Sequence, residues 1–345
     1  MFTREKTRAI NVGGVQIGGQ SNVIVQSMTN THTYDKDATI QQIKELVDAG
    51  AELVRIAVPD AKSLAQVESI VAGSSVPLVA DIHFDYKLAI GAMEAGIAKV
   101  RINPGNIGGQ DKLLEVINAA KQYEVPIRIG VNHGSIGAAE DKIKLSLKVL
   151  EEYVTFFEKN DFWDLVISLK SSDVMSSVIM NEIFAKRHDY PLHLGITEAG
   201  YGDAGLIKSS AGIGAMLLKG LGDTIRVSLT GNPVKEIPVA KSLLRSVGLL
   251  KEGVEIISCP TCGRTEIDLE SLAKQVGEKL KNIKIPLKVA VMGCVVNGPG
   301  EAADADYAIC GAKEVGYIYK DGNQLKKVPE KALVEELLKI INEDQ

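Results

Sequence analysis

The chain has 345 residues, more than an ordinary single domain, and its 45% apolar and 24% charged content is that of a water-soluble globular protein. A net charge of −5 and a pI near 5.7 argue against nucleic-acid binding but leave room for local basic pockets. No apolar run is long enough to span a bilayer and Met1–Arg8 leads into no secretory core, so no membrane partner and a cytoplasmic location are expected. In that reducing compartment clustered cysteines serve as metal ligands or catalytic groups rather than disulfides.

In chain order, 8–18 predicts a hairpin around Gly13-Gly14 that closes one end of the first domain. Eight short apolar, β-branched runs come next: 23–28, 53–58, 77–82, 99–102, 126–131, 165–169, 191–196 and 224–229. Helical patterns such as 38–49, 87–95, 112–123 and 142–157 separate them. Eight strand–helix units over this length predict an α/β fold, a (β/α)8 TIM barrel over 1–250, in preference to a doubly wound sheet. Past Leu250 the rhythm changes. Strands at 254–258, 287–292, 307–310 and 317–319, with helices at 269–280 and 330–341, predict a small α+β module over 251–345.

Barrel active sites lie at the C-terminal ends of the strands. Here those ends carry Arg55, Asp81, His83, Arg101, Asn103, Arg128, Asn132, Lys170, His193, Glu198, Arg226 and Ser228. Some of these charges can be internal supports, Arg55 and Arg101 pairing with Asp81 or Glu52. Five cations at one rim (Arg55, Arg101, Arg128, Lys170, Arg226) exceed that need and would form a positive pocket on an acidic protein. Guanidinium planes suit phosphate oxygens, so a phosphorylated or diphosphorylated small molecule is the expected ligand. Gly212-Ile-Gly214 falls in a predicted helix with no third glycine at dinucleotide spacing.

The cysteines are spaced C-x2-C-x31-C-x15-C. Cys259, Cys262 and Cys294, with Glu301 after a Gly-Pro-Gly turn, could surround a metal, and soft thiolates select zinc, copper(I) or iron–sulfur centres. Spacing alone leaves cluster and zinc both open, and leaves Cys310 and Glu301 both open as fourth ligand.

The segments Val25-Gln-Ser-Met-Thr29, Ala80-Asp-Ile-His-Phe84, Arg101-Ile-Asn-Pro-Gly-Asn106, Ile196-Thr-Glu-Ala-Gly200, Arg226-Val-Ser-Leu-Thr230, Cys259-Pro-Thr-Cys-Gly-Arg264 and Met292-Gly-Cys-Val-Val-Asn-Gly-Pro-Gly-Glu301 occur in this order along nearly the whole chain. Together they resemble the 4-hydroxy-3-methylbut-2-enyl diphosphate synthase family of the methylerythritol phosphate route to isoprenoids. Only 30 residues separate Ser228 from Cys259, so the resemblance is to the short, two-domain bacterial form.

The resemblance implies a [4Fe–4S] cluster on Cys259, Cys262, Cys294 and Glu301, with Cys310 outside it. It implies reductive ring opening of 2-C-methyl-D-erythritol 2,4-cyclodiphosphate, with electrons from ferredoxin or flavodoxin. It implies a homodimer in which each cluster domain caps the partner's barrel. The polar residues at the barrel's strand ends would then bind substrate, and Glu198 is the candidate proton donor. The loop after Ser135 is shorter than in many relatives. Two other classes compete: a barrel transferase similar to dihydropteroate synthase with a structural zinc module, and a redox or metal-dependent interaction domain.

Overall fold

A computed structural model describes residues 6–132, 142–296 and 298–344, with the side chains of Asn132 and Glu301 outside that description. The chain divides into two compact units, Met1–Leu250 and Lys251–Gln345.

The first unit opens with a hairpin, β1 (Ile10–Val12) and β2 (Val15–Ile17), paired antiparallel. Its turn residues Gly13 and Gly14 have φ of 57° and 93°, which side chains rarely adopt. Then come β3 (Ile24–Met28), β4 (Leu53–Ala57), β5 (Leu78–Asp81), β6 (Lys99–Ile102), β7 (Ile127–Asn132), β8 (Leu165–Lys170), β9 (His193–Leu194) and β10 (Thr224–Ile225). These eight strands form one parallel sheet in the order β8-β7-β6-β5-β4-β3-β10-β9, and a parallel bridge from Ile167 to Leu192 joins its two edges into a barrel. Ile10, Val12 and Ile17 of the hairpin pack with Ile24, Leu53 and Val166 near the strand starts, so the hairpin seals the lower end with apolar side chains.

Two strands are shorter than their apolar runs, because side chains take over from the ladder. Asp223 accepts the backbone N–H of Leu192 at 2.9 Å ahead of β9. Glu236 accepts that of Leu229 at 3.0 Å, which turns the run away after Ile225. Several helices start on an aspartate whose carboxylate accepts a first-turn N–H: Asp35, Asp85 and Asp173 here, Asp268 in the second unit. Each such cap contributes about 1 kcal/mol and fixes the loop entering the helix. Gly212 does not belong to a nucleotide loop. It lies in the helix Gly202–Leu218, where a Cβ would stand 2.5 Å from Ile196 Cδ1, so the glycine permits close packing of the helix on the segment just after β9.

The second unit is a five-stranded sheet of β11 (Val254–Ser258), β12 (Leu287–Met292), β13 (Tyr307–Ala312), β14 (Val315–Lys320) and β15 (Asn323–Pro329), side by side in that order. The first three are parallel and the last two antiparallel. The strand period of two divides β12 between faces. Val289 and Val291 meet the helices Leu269–Leu280 and Leu333–Glu343, whereas Ala290 and Met292 face an alanine-rich layer containing Ala302, Ala305 and Cys310. The strand β15 has no apolar alternation to betray it. Its Asp321-Gly322 turn, with φ of 47° and 75°, is the local signal, and Lys326 and Lys327 mark it as a charged sheet edge. The Gly-Pro-Gly segment expected as a turn is a short helical one, Gly298–Glu301. Among the described residues no helix is long and apolar enough to cross a membrane.

Candidate active site

Parallel registers bring the charged side chains of the barrel onto one inner face. Arg55 pairs with Val79, Asp81 with Arg101, and Arg101 with Arg128 across β4, β5, β6 and β7. Residues two apart on a strand share a face, so Lys99 lies on the same side as Arg101. Gln26 likewise shares a side with Met28, whose sulfur lies 3.0 Å from Arg55 Nε and 3.4 Å from Arg226 Nη1. Thr224, two residues before Arg226, carries a hydroxyl 2.7 Å from His193 Nδ1.

Asp81 is the hub. Its carboxylate accepts from Arg101 Nη1 at 3.1 Å, lies 3.2 Å from His83 Nε2 and faces Arg55 Nε at 3.9 Å. Burial alone would raise its pKa, but the Arg55 charge, the His83 hydrogen bond and the Arg101 charge outweigh burial and hold the carboxyl well below the usual range. Burial also pulls Arg55 down to about 10 against the upward pull of Asp81. Glu236 is the other buried carboxylate that meets one of these arginines. It accepts from Arg226 Nε and Ser27 Oγ, both at 3.3 Å, and from the Leu229 amide. The expected internal support therefore holds for Arg55 and Arg101 with Asp81, whereas Glu52 instead accepts the Val25 amide at 2.9 Å.

Among the described residues the remaining cations lack such partners. Arg128 is 1% exposed, and its Nε and Nη1 meet no hydrogen-bond acceptor. Lys99 is fully buried with an unpartnered Nζ, and His193 Nε2, Arg101 Nε and both polar atoms of Gln26 are also buried and unpartnered. An unpartnered buried polar group is costly, a charged one more so. Burial first, then the Arg128 and Arg55 charges, draw the Lys99 and Lys170 amines well below their ordinary values. Burial and the charges of Lys170 and Arg128 do the same to His193. Among the described residues six basic side chains (Arg55, Lys99, Arg101, Arg128, Lys170, Arg226) thus share the inner face with Asp81, while Glu236 reaches Arg226 from the helix Glu236–Ser246. The arrangement is suited to an anion with several oxygens.

His193 was expected near the mouth, but it is enclosed inside the barrel and fully buried, because β9 is short and begins with it. Asn103 caps the turn Pro104–Asn106 by accepting the Gly105 amide at 3.3 Å, and Ser228 is half-buried. Glu198 is exposed in a turn at φ 53°, left-handed backbone that is uncommon for a glutamate and is found at functional sites. The Asn132 side chain and the loop after Ser135 lie outside the described residues.

Sequence reasoning missed Lys99, Gln26, Glu236 and two glycines. A Cβ on Gly130 would stand 2.9 Å from Arg101 Nε, and one on Gly195 would stand 2.6 Å from Lys170 Nζ. Both glycines make room for a cation to cross the barrel. Lys99 was legible as a charge in an apolar strand, but it lies at the strand's beginning rather than its end. A cavity of about 650 Å³ lies at the opposite end of the barrel, but its Arg8 is already engaged by Asp189 at 2.6 Å and by the Tyr190 ring.

In the second unit the thiols stand just past parallel strand ends. Cys259 follows β11, and Cys294 follows β12 by two residues; the two strands are neighbours with Ser258 opposite Val291. The Gly293 amide donates to Cys259 Sγ at 3.3 Å, and the Gly293 carbonyl accepts from Glu266 at 2.9 Å, tying the two loops together. Cys262 is exposed. Hydrogen bonds from Arg264, its backbone first and then its side chain, hold that thiol below its ordinary value. Cys310 is different: it lies within β13, fully buried, and burial reinforced by Cys294 and Cys259 pushes its thiol up to about 12. Among the described residues no three His, Cys, Asp or Glu side chains converge as a single metal ion would need. The Glu301 side chain lies outside the described residues.

The comparisons with known proteins agree with this two-part organisation. The family description GcpE TIM-barrel domain matches residues 7–241, and GcpE protein C-terminal domain matches 255–343. A protein of Clostridium perfringens called 4-hydroxy-3-methylbut-2-en-1-yl diphosphate synthase (flavodoxin) is 51% identical, with 99% of each chain covered. One of the same name from Caldanaerobacter subterraneus is also 51% identical, covering 98% of this chain and 97% of the relative. Among solved structures, 7,8-dihydropteroate synthase from Vibrio fischeri superposes with a TM-score of 0.53 at 14% identity, covering 70% of this chain and 99% of that one. That likeness shows the barrel fold alone. The chain belongs to the GcpE family.

Proposed function

We propose that the chain is an oxidoreductase that converts 2-C-methyl-D-erythritol 2,4-cyclodiphosphate to (E)-4-hydroxy-3-methylbut-2-enyl diphosphate, with electrons from flavodoxin. The observation that carries this reading is the inner face of the barrel, where among the described residues six basic side chains outnumber the two carboxylates that meet them, Asp81 and Glu236, and Arg128 has no acceptor for two of its nitrogens. Arg55, Arg101, Arg128, Lys170 and Arg226 would hold the two phosphates. Asp81 fixes Arg101 and Arg55, and Glu236 fixes Arg226, so the clamp is set before substrate arrives. Such pre-set orientation can supply a large part of a rate enhancement. Asn103 and Ser228, with Asn132, would bind the remaining polar groups. Glu198, exposed on its constrained turn, would donate the proton that leaves with the hydroxyl as water.

The thiols of the second unit fit an iron–sulfur group. Cys259 and Cys294 stand on adjacent strand ends, and Cys262 has the depressed thiol that a ligand uses. A four-iron cluster takes one ligand per iron, so its donors stand further apart than those around one ion. Cys259, Cys262, Cys294 and Glu301 would hold a [4Fe–4S] cluster, which supplies the substrate with electrons one at a time. Cys310, inside β13 with Met292 and Tyr317 as its sheet neighbours, would remain outside.

The test is anaerobic purification with iron and sulfide analysis, followed by turnover of the cyclodiphosphate with reduced flavodoxin. About four irons and four sulfides per chain are expected. Glu301→Ala should keep iron but change its spectrum. Glu198→Gln should keep both cluster and substrate binding and lose turnover. Zinc without sulfide after reconstitution, or full turnover by Glu198→Gln, would remove the corresponding part.

A further inference from the structure

Among the described residues the barrel's inner face carries one lysine that the substrate clamp does not use. Lys99 is the first residue of β6, fully buried, with no hydrogen-bond partner for its amine among the described residues. Below it the hairpin closes the barrel with apolar side chains, so water has no ready path from that end. The charged or titratable groups sharing the inner face are Arg55 from β4, Asp81 from β5, Arg101 from β6, Arg128 from β7, Lys170 from β8, His193 from β9 and Arg226 just past β10. The inner positions of β3, Gln26 and Met28, are neutral. Both carboxylates are taken: Asp81 by Arg101, Arg55 and His83, and Glu236 by Arg226, Ser27 and Leu229.

A guanidinium does not give up its proton in a protein, so where cations crowd without counter-charge an amine must yield. Lys170 keeps 8% of its surface and can be hydrated at the mouth. His193, with an ordinary value near 6.5, is neutral at pH 8 in any case. Lys99 has neither escape. We propose that Lys99 is an uncharged amine in the free enzyme and takes up a proton when the diphosphate enters the mouth, so that the pocket floor gains its positive charge only in the complex. The proton comes from solvent to the amine lone pair, and no bond of the substrate changes. Lys99 is thus a positioning residue that matches the charge of the barrel to its occupant.

Resting as it does on the diphosphate pocket proposed above, the inference is tested by calorimetry of the cyclodiphosphate binding to oxidised, cluster-loaded enzyme without reductant. The titration is run at pH 8 in buffers of different ionisation enthalpy. Each phosphate of this ligand carries a single strongly acidic proton, so the ligand does not titrate there. The expected result is uptake of about one proton per site in the wild type and almost none in Lys99→Met. Affinity in the wild type should fall by up to about tenfold per pH unit as pH rises through the window between the free and bound values. A binding heat independent of buffer, or an affinity independent of pH, overturns the proposal whether or not Lys99→Met folds. So does unchanged uptake in Lys99→Met, or uptake lost instead in His193→Gln. No binding in any buffer would remove the diphosphate pocket itself, and the inference with it.

Discussion

Both units place their chemistry at the C-terminal ends of parallel strands, but they fix it by different means. In the barrel most of the charged side chains lie within the strands, and buried ion pairs hold two of them: Arg101 to Asp81 at 3.1 Å and Arg226, just past β10, to Glu236 at 3.3 Å. In the smaller sheet the thiols lie in loops past β11 and β12, held by backbone contacts such as Gly293 to Cys259. An anion pocket needs charges kept apart and dry, which a rigid barrel interior provides. As the proposed cluster ligands, the thiols would need only a few loops brought to one end of the sheet, because a bound cluster supplies its own rigidity.

The sharpest way to break that comparison is to remove thiols one at a time. Cys294→Ser should lose most of its bound iron, whereas Cys310→Ser should retain iron and sulfide. The second change places a hydroxyl in the layer of Ala290, Met292 and Ala302, and a loss of about 1–2 kcal/mol in stability is expected. Iron analysis and thermal unfolding of both variants decide it. Iron loss in Cys310→Ser alone would exchange the two assignments.

A second, smaller effect probes the barrel's buried pairs. Asp81→Asn keeps shape but removes the charge that Arg101 and Arg55 share, and breaking such a pair from one side should cost about 3 kcal/mol. The sign with pH comes from the depressed carboxyl. Its contribution is complete above the unfolded value of about 4 and is lost as pH falls toward the lower folded value. The wild type should therefore lose stability on acidification more steeply than Asp81→Asn. Parallel acid limbs in the two proteins, measured by unfolding at several pH values, would mean that Asp81 is not the hub.

Much of this was legible in the sequence because strand burial makes exceptions conspicuous. Arg55, Arg101 and Arg128 interrupt apolar runs, and parallel strands leave a charge no place but the barrel interior. Cys259, Cys262 and Cys294 stand out as candidates from spacing, and the parallel pairing of β11 with β12 puts Cys259 and Cys294 just past adjacent strand ends. Other parts were hidden for physical reasons. Glu236 belongs to a helix 10 residues beyond Arg226, and only the fold turns it back onto Ser27. The enclosure of His193 reflects its place at the start of β9, opposite Thr224 and bonded to that residue's hydroxyl, which no apolar pattern signals. The strand β15 is mostly polar and is fixed by its turn and its neighbour rather than by any apolar pattern.

Gly130 offers the finest test of how the barrel sets its charges. It lies in β7 opposite Ser168 of β8, and its missing side chain is where the Arg101 guanidinium passes. A methyl there would sit 2.9 Å from Arg101 Nε and 3.1 Å from Nη2, too close to remain. The neighbouring atoms are side chain rather than backbone, so the cost in folding should lie at the low end of the overpacking range, about 1 kcal/mol. Function should be more sensitive. Arg101 is anchored to Asp81, so it must rotate about that contact and carry its other nitrogens off the proposed phosphate position. Displacements of this size cost up to about a hundredfold in rate, and about tenfold in kcat/KM is expected for Gly130→Ala. If kcat/KM is unchanged while stability falls, Gly130 serves packing alone, and the placement of Arg101 owes more to Asp81 than to the space left for it.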